Sequence, residues 1–240
     1  MSVLLEWKKI KRTGCFPAFL GGGILAGAVP VLHMAVHGER YAHSPGNPVE
    51  ILLQANWQVM AMLNVLLVVA GACLFYHTEY ADGCLQKMRS LPVRESSIFF
   101  GKVMLMSFLM LWVLILEGGA MAFCSLHWFE TGEGFAGGLC KSLGYAFLLL
   151  QPCIVLSLLI AQACGNMWTS LGIGVVCVFT ATMLPEDDFV CSLFPFAAPF
   201  QIFPQADVER GMAYLVAVAV ELLVLGLAEL LWIRGRRRFA

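Results

Sequence analysis

No motif for nucleotide binding or hydrolysis occurs in the 240 residues. Gly101-Lys102 is followed by Val103 and lacks the first glycine of a phosphate-binding loop. Neither H-E-x-x-H nor G-x-S-x-G is present. The chain is therefore expected to have no ATP site, no catalytic residue and no enzymatic activity of its own. None of its nine cysteines stands in CxxC, and most lie in apolar stretches. They read as small buried hydrophobes, not as zinc ligands or a disulfide framework. Cys140 and Cys191 could meet on the outer side of a membrane. Charge is nearly balanced, at a net -1 with a pI near 6.5, which argues against nucleic acid as a partner. No cleavable signal segment is evident, because the first apolar stretch is too long and lacks an A-x-A-like site.

Apolar residues are what the chain has in excess. They make up 60% of it, with a mean hydropathy of +0.80, against roughly 45–50% in soluble domains. Six stretches approach the ~20 residues needed to cross a bilayer. They are Phe16–Val36, Gln54–Tyr76, Phe99–Phe123, Leu139–Ala163, Trp168–Leu184 and Met212–Ile233, the fifth being the shortest. The expected fold is all-α: one polytopic membrane domain over residues 1–240 with six transmembrane helices.

Charge sets the expected orientation. With the N-terminus inside, Lys8, Lys9, Lys11, Arg12, Lys87, Arg89, Arg94, Lys102, Arg234, Arg236, Arg237 and Arg238 fall on the inner side. Only Arg40, Lys141 and Arg210 fall outside. This positive-inside bias places both termini in the cytoplasm of a multi-pass cell-membrane protein. Residues 1–13 read as a basic amphipathic helix on the inner surface, with Val3, Trp7 and Ile10 on one face. The inner segment 77–98 reads as a short helix and a restart. Thr78 is placed as its N-cap, Leu85 and Met88 share a face, and Pro92 stops it. Such a helix can dock in a groove on a soluble partner, or be a plain solvated loop. The outer segment 185–211 carries Glu186, Asp187 and Asp188 and then FPFAAPFQIFP. Its prolines forbid a regular spanning helix, so the segment is expected to dip into the outer leaflet or to cap the bundle as short broken helices.

Three carboxylates, Glu117, Glu221 and Glu229, stand inside apolar stretches. A charge at mid-membrane costs roughly 2.5–3.5 kcal/mol on insertion scales. Each is therefore neutral, paired, facing a polar cavity, or reaching an interface. Glu117 and Glu221 are candidates for a substrate path; Glu229 is near enough to Arg234 for pairing. His33 and His37 are four apart, a spacing that can bind metal. With no carboxylate at a fixed spacing they read as wet side chains, and no metal site is expected.

The segment E-x-x-x-G-x-L at Glu79, Gly83 and Leu85, then SLPVR at Ser90–Arg94 and Gly101-Lys102, resembles the loop after the second helix of type-2 ABC exporter permeases. The opening Leu4–Gly14 resembles the start of lantibiotic-immunity and bacitracin-resistance permease subunits. Cys84 and Met88 depart from the threonine and leucine of many relatives. The resemblance implies a coupling helix around Glu79–Ser90, with Glu79, Gly83, Leu85, Met88, Leu91, Pro92 and Arg94 at the contact with an ABC ATPase. It implies a second permease subunit, identical or related, and membrane lipid around both. ATP and magnesium would be held by the partner ATPase, with no cofactor in this chain. The implied activity is expulsion of a hydrophobic or cationic peptide antibiotic. A lipid or drug cargo, or a non-transporting scaffold or sensor subunit, are the alternatives.

Overall fold

The computed structural model describes residues 14–42, 47–81, 95–129, 134–184, 188–203 and 208–239. Every regular element among them is helical. The helices are α1 (Cys15–Ala42), α2 (Pro48–Ala81), α3 (Glu95–Trp128), α4 (Phe135–Cys164), α5 (Met167–Met183), the single turn α6 (Phe189–Ser192) and α7 (Val208–Phe239). A 3-10 turn covers Ala198–Phe200. Five helices, α1 to α4 and α7, are long and apolar enough to cross a membrane. At 17 residues, α5 extends about 25 Å, short of the ~30 Å hydrocarbon core.

Contacts along the helices show that they alternate in direction. His33 of α1 meets Asn56 of α2, while Gly22 faces Leu67, so α1 and α2 are antiparallel. Tyr76 of α2 meets Lys102 of α3, and Ser107 of α3 meets Gln151 of α4. Cys73 of α2 meets Ser170 of α5, and Gln162 of α4 meets Glu229 of α7. One end of the bundle thus holds the close of α2 and the start of α3; it is called here the basic end. The opposite, cap end carries α6 and the 3-10 turn.

Helices α2, α3 and α4 form the centre, where Val65, Val68, Met106, Met110, Leu150 and Ile154 are buried. Around them α1 packs mainly on α3, α5 on α2, and α7 on α4. The outward faces are as apolar as the core: Leu32, Val36, Trp168, Met183 and Leu223 are all more than 60% exposed. Such faces suit lipid, not water. Gly23 and Gly27 let α1 approach α3 closely, since a Cβ on Gly27 would stand 3.5 Å from Ala120. Between α4 and α5 the chain turns at Gly165, whose φ of 62 ends α4 in the left-handed region. Asn166 then caps α5 by accepting from the Trp168 N–H at 2.9 Å.

The cap end follows the expectation of short broken helices. Pro185 follows α5 in the sequence, and α6 begins with the Asp188 carboxylate accepting from the Val190 N–H at 3.0 Å. Phe196, Ala197, Ala198 and Phe200 are buried in the bundle. Local turns satisfy this non-helical backbone, such as Ala197 N–H to Phe194 O at 2.7 Å. The Trp57 indole adds a bond to Pro199 O at 3.1 Å, as irregular backbone at this depth requires.

Two expectations on boundaries need correction. Thr78 is not an N-cap, because α2 runs unbroken through it to Ala81. The helices also overrun the apolar stretches: α1 continues past Val36 to Ala42 and α2 past Tyr76 to Ala81, whereas the start of α3 at Glu95 agrees with the restart expected near Ser96. Hydropathy marks where a helix meets apolar surroundings. Its hydrogen-bond ladder extends into polar flanks because adding a residue is far easier than starting a helix.

The close packing of α5 on α2 makes a testable demand. A Cβ on buried Gly174 would collide with Val69, whereas one on Gly172 of the same helix meets nothing within 4 Å. Gly174→Ala should cost about 1–3 kcal/mol by overpacking, and Gly172→Ala little. Unfolding of the purified protein by SDS titration measures both.

Candidate functional site

At the basic end four helices meet in one buried polar cluster. The Tyr76 hydroxyl of α2 donates to Gln162 Oε1 of α4 at 3.0 Å. Gln162 Nε2 donates to Glu229 Oε1 of α7 at 3.2 Å. The Lys102 ammonium of α3 sits 3.5 Å from the centre of the Tyr76 ring, a cation–π contact. Lys102 is 1% exposed and Glu229 3%. A buried charge is tolerable only when polar or aromatic groups replace its water, and here one cluster holds both signs. Lys102 is thus part of the helical body, not of the basic connecting segment to which its sequence position assigned it. Glu229 accepts a hydrogen bond from Gln162, and the side chain of Arg234 lies outside the described residues.

Nearer the cap end, Asn64 Nδ2 of α2 donates to Glu117 Oε2 of α3 at 3.1 Å. Both residues are fully buried. Glu117 Oε1 and Asn64 Oδ1 have no hydrogen-bond partner among the described residues. About two turns further on, Asn56 Oδ1 lies 2.8 Å from His33 Nδ1. Glu221 stands near the middle of α7, half-buried, and its Oε2 also has no partner among the described residues. Glu117 turns toward α2, whereas α7 packs on α4 and barely touches α3. The two candidate path residues therefore do not form one site.

Because α3 and α7 scarcely meet, a cavity of about 780 Å³ remains between them, with α4 behind it. Ser107 and Gln151 lie in its wall at mid-length and Glu229 toward the basic end.

At the cap end, His33 and His37 have ring centres 5.0 Å apart. Among the described residues no group of three or more His, Cys, Asp or Glu side chains is placed to hold a metal. Cys140 and Cys191 are both free thiols. Cys191 Sγ donates to Asp188 Oδ2 at 3.3 Å, and that bond pushes the thiol above its ordinary pKa.

Of the coupling residues, Glu79 lies in the last turns of α2, its side chain outside the described residues. Gly83, Leu85, Met88, Leu91, Pro92 and Arg94 lie outside the described residues altogether. Reading only the carboxylates of the apolar stretches missed Asn56, Asn64, Tyr76, Lys102 and Gln162. The available signal was simple: each is a polar or amphipathic residue inside a long apolar run, where it must find a partner.

The cluster can be dissected at Tyr76. Tyr76→Phe removes the bond to Gln162 and keeps the ring beside Lys102. Its expected loss is about 0.6 kcal/mol, the average for hydrogen bonds between membrane helices. Tyr76→Leu removes the ring as well and should lose about 0.5–2 kcal/mol more. Equal losses in SDS-titration unfolding would show that the ring contributes nothing.

No curated protein and no solved structure matches the chain. A family model does. Among the described residues, five helices long and apolar enough to cross a membrane pack with the shorter apolar helix α5. With residues 2–181 matching the model of the ABC-2 family transporter protein, the chain belongs to the ABC-2 transporter family.

Proposed function

We propose that the chain is one permease half of an ATP-driven exporter, crossing the membrane six times with both termini in the cytoplasm. The ABC-2 family supplies the membrane component of such transporters and implies an ABC ATPase partner in general. The observation that carries the mechanical reading is the buried cluster at the basic end. The connection between α2 and α3 is bounded on its two sides by the helix ends that carry Tyr76 and Lys102. Through Gln162 and Glu229 the same cluster reaches α4 and α7. A push on that connection therefore acts on four helices together instead of bending one. On this reading Leu85 and Met88 seat the connection in an ATPase groove, and ATP and magnesium act in that partner. A second permease subunit, identical or related, completes the path.

The cargo proposed is an amphiphile, with a hydrophobic or cationic peptide antibiotic of the lantibiotic type as its first candidate. Support comes from the N-terminal resemblance and from the acidic run Glu186, Asp187 and Asp188 beside the cap, which attracts cations. A lipid or drug is the second reading, favoured by the apolar cavity between α3 and α7.

Two measurements test this. Leu85→Glu should abolish co-purification of an ABC ATPase while leaving the SDS-unfolding midpoint unchanged. Wild-type recovery of the ATPase would remove the connection from the docking role. In intact cells, an impermeant thiol reagent should label exposed Cys140 and leave Cys84 unlabelled until the membrane is opened. Labelling of Cys84 from outside would invert the topology.

A further inference from the structure

The side-chain amides inside the bundle follow one rule with one exception. Asn56 Nδ2 donates to Leu52 O at 2.9 Å, and Asn56 Oδ1 lies 2.8 Å from His33 Nδ1. Gln151 and Gln162 likewise use both ends of their amides. Asn64 is the exception. Its Nδ2 donates to Glu117 Oε2, but Asn64 Oδ1 and Glu117 Oε1 have no hydrogen-bond partner among the described residues. We propose that Asn64 and Glu117 form a proton-binding site, in which Glu117 is the neutral acid and its Oε1–H donates to Asn64 Oδ1.

The argument begins with a count of donors. Buried polar atoms are nearly always hydrogen-bonded, and here two oxygens on bonded side chains both lack a donor. An ionised carboxyl can only accept, so in that form nothing on either residue answers the other's free oxygen. A protonated carboxyl keeps one accepting oxygen and gains an O–H donor. A single hydrogen on Oε1 therefore satisfies both orphaned atoms at once. The result is a reciprocal pair: an amide N–H given to the acid, and the acid O–H given back to the amide oxygen. The proton comes from water, and no other group has to change its charge.

The surroundings favour the neutral form. Asn64 and Glu117 are both 0% exposed. On one side of Glu117, α1 lies so close that a Cβ on Gly27 would stand 3.5 Å from Leu116 O and from the Ala120 Cβ; on the other, Leu143 of α4 lies against Gly118. Among the described residues, Asn64 is the one side chain that interacts with the Glu117 carboxyl. The titratable groups of the adjoining helices are turned elsewhere. His33 of α1 meets Asn56, about 12 Å along α2 from Asn64. Cys73 of α2 meets Ser170, and Tyr145 of α4 meets Phe203. Lys141 of α4 is exposed, Cys124 of α3 is about two turns away, and α7, which carries Glu221, barely touches α3. A carboxylate sealed in such a place without a cation is costly, and keeping a proton removes that cost. The pair also has a mechanical meaning. It ties α2 to α3 a second time, about 18 Å along α2 from Tyr76. Parting the two helices at this level admits water to the acid, so separation and loss of the proton are one event.

The test uses the full-length chain in nanodiscs, without ATPase or cargo, so its outcome is separate from that of the exporter reading. The infrared difference spectrum of wild type minus Glu117→Gln at neutral pH should contain the carbonyl stretch of a protonated acid. Asn64→Leu should keep that band and move it to higher frequency, because the N–H bond to Oε2 is gone. A carboxylate band in its place would mean that a water or a cation joins the two oxygens, and would overturn the proposal. So would an acid band that ignores Asn64→Leu. Stability gives a second readout. Glutamine reproduces the pair, with its own N–H on Asn64 Oδ1, so Glu117→Gln should keep the folded-to-unfolded ratio in SDS titration within about twofold of wild type. Glu117→Leu and Asn64→Leu should each lower the ratio. Their double-mutant cycle should give a coupling of about eightfold, that of two bonds of average strength between membrane helices. Equal losses for glutamine and leucine at position 117, or no coupling, would overturn the proposal. Should the leucine variants fail to fold, the spectra of wild type and Glu117→Gln decide alone.

Discussion

A polar side chain buried among apolar helices is costly unless another polar group answers it. That constraint explains why Lys102, Tyr76, Gln162 and Glu229 converge. Alone, any charged member of the set would cost several kcal/mol in an apolar body. Together they form a knot whose members come from four helices, so it exists only when α2, α3, α4 and α7 are mutually in register. Greasy helices packing on greasy helices specify register weakly, because lipid tails are as good a neighbour as leucine. The polar contacts supply that specificity: Asn64 with Glu117 and Ser107 with Gln151 repeat the logic higher in the bundle.

Small residues do the complementary work. Gly23 and Gly27 seat α1 on α3, and Gly174 seats α5 on Val69 of α2. Where no such seat exists, between α3 and α7, the bundle stays open. The difference between a sealed and an unsealed helix pair is therefore written in a few positions. A polar bond also ties the cap, where the Trp57 indole reaches Pro199 O and the 3-10 turn with buried Pro199 packs on α2 and α4.

Much of this was legible in the amino-acid order. Hydropathy located the apolar helices, and Pro195, Pro199 and Pro204 with their interleaved phenylalanines marked a buried cap without a regular helix. The loop motif pointed to the transporter family that the family match supports. Legibility failed at two kinds of place. Helix ends were drawn too short, because apolar content reports the surroundings and says nothing of where the backbone ladder stops. Partners were also invisible. Sequence shows that Glu117 needs one, but Asn64 is 53 positions away and only the fold brings it near. Lys102 was read by its neighbours in the chain, as a loop charge, when its neighbours in space are an aromatic ring and the core.

The brevity of α5 reaches beyond the protein itself. At 17 residues it falls about 5 Å short of an average hydrocarbon layer. Yet its outward side is strongly apolar, with Trp168 76% and Met183 81% exposed. Lipid acyl chains beside that side must compress or tilt to match it, at a fraction of a kcal/mol for each ångström of mismatch. On the six-crossing reading the protein thus imprints a shallow dimple on the bilayer along one flank. A thinner membrane would accommodate that flank with less deformation than a thick one.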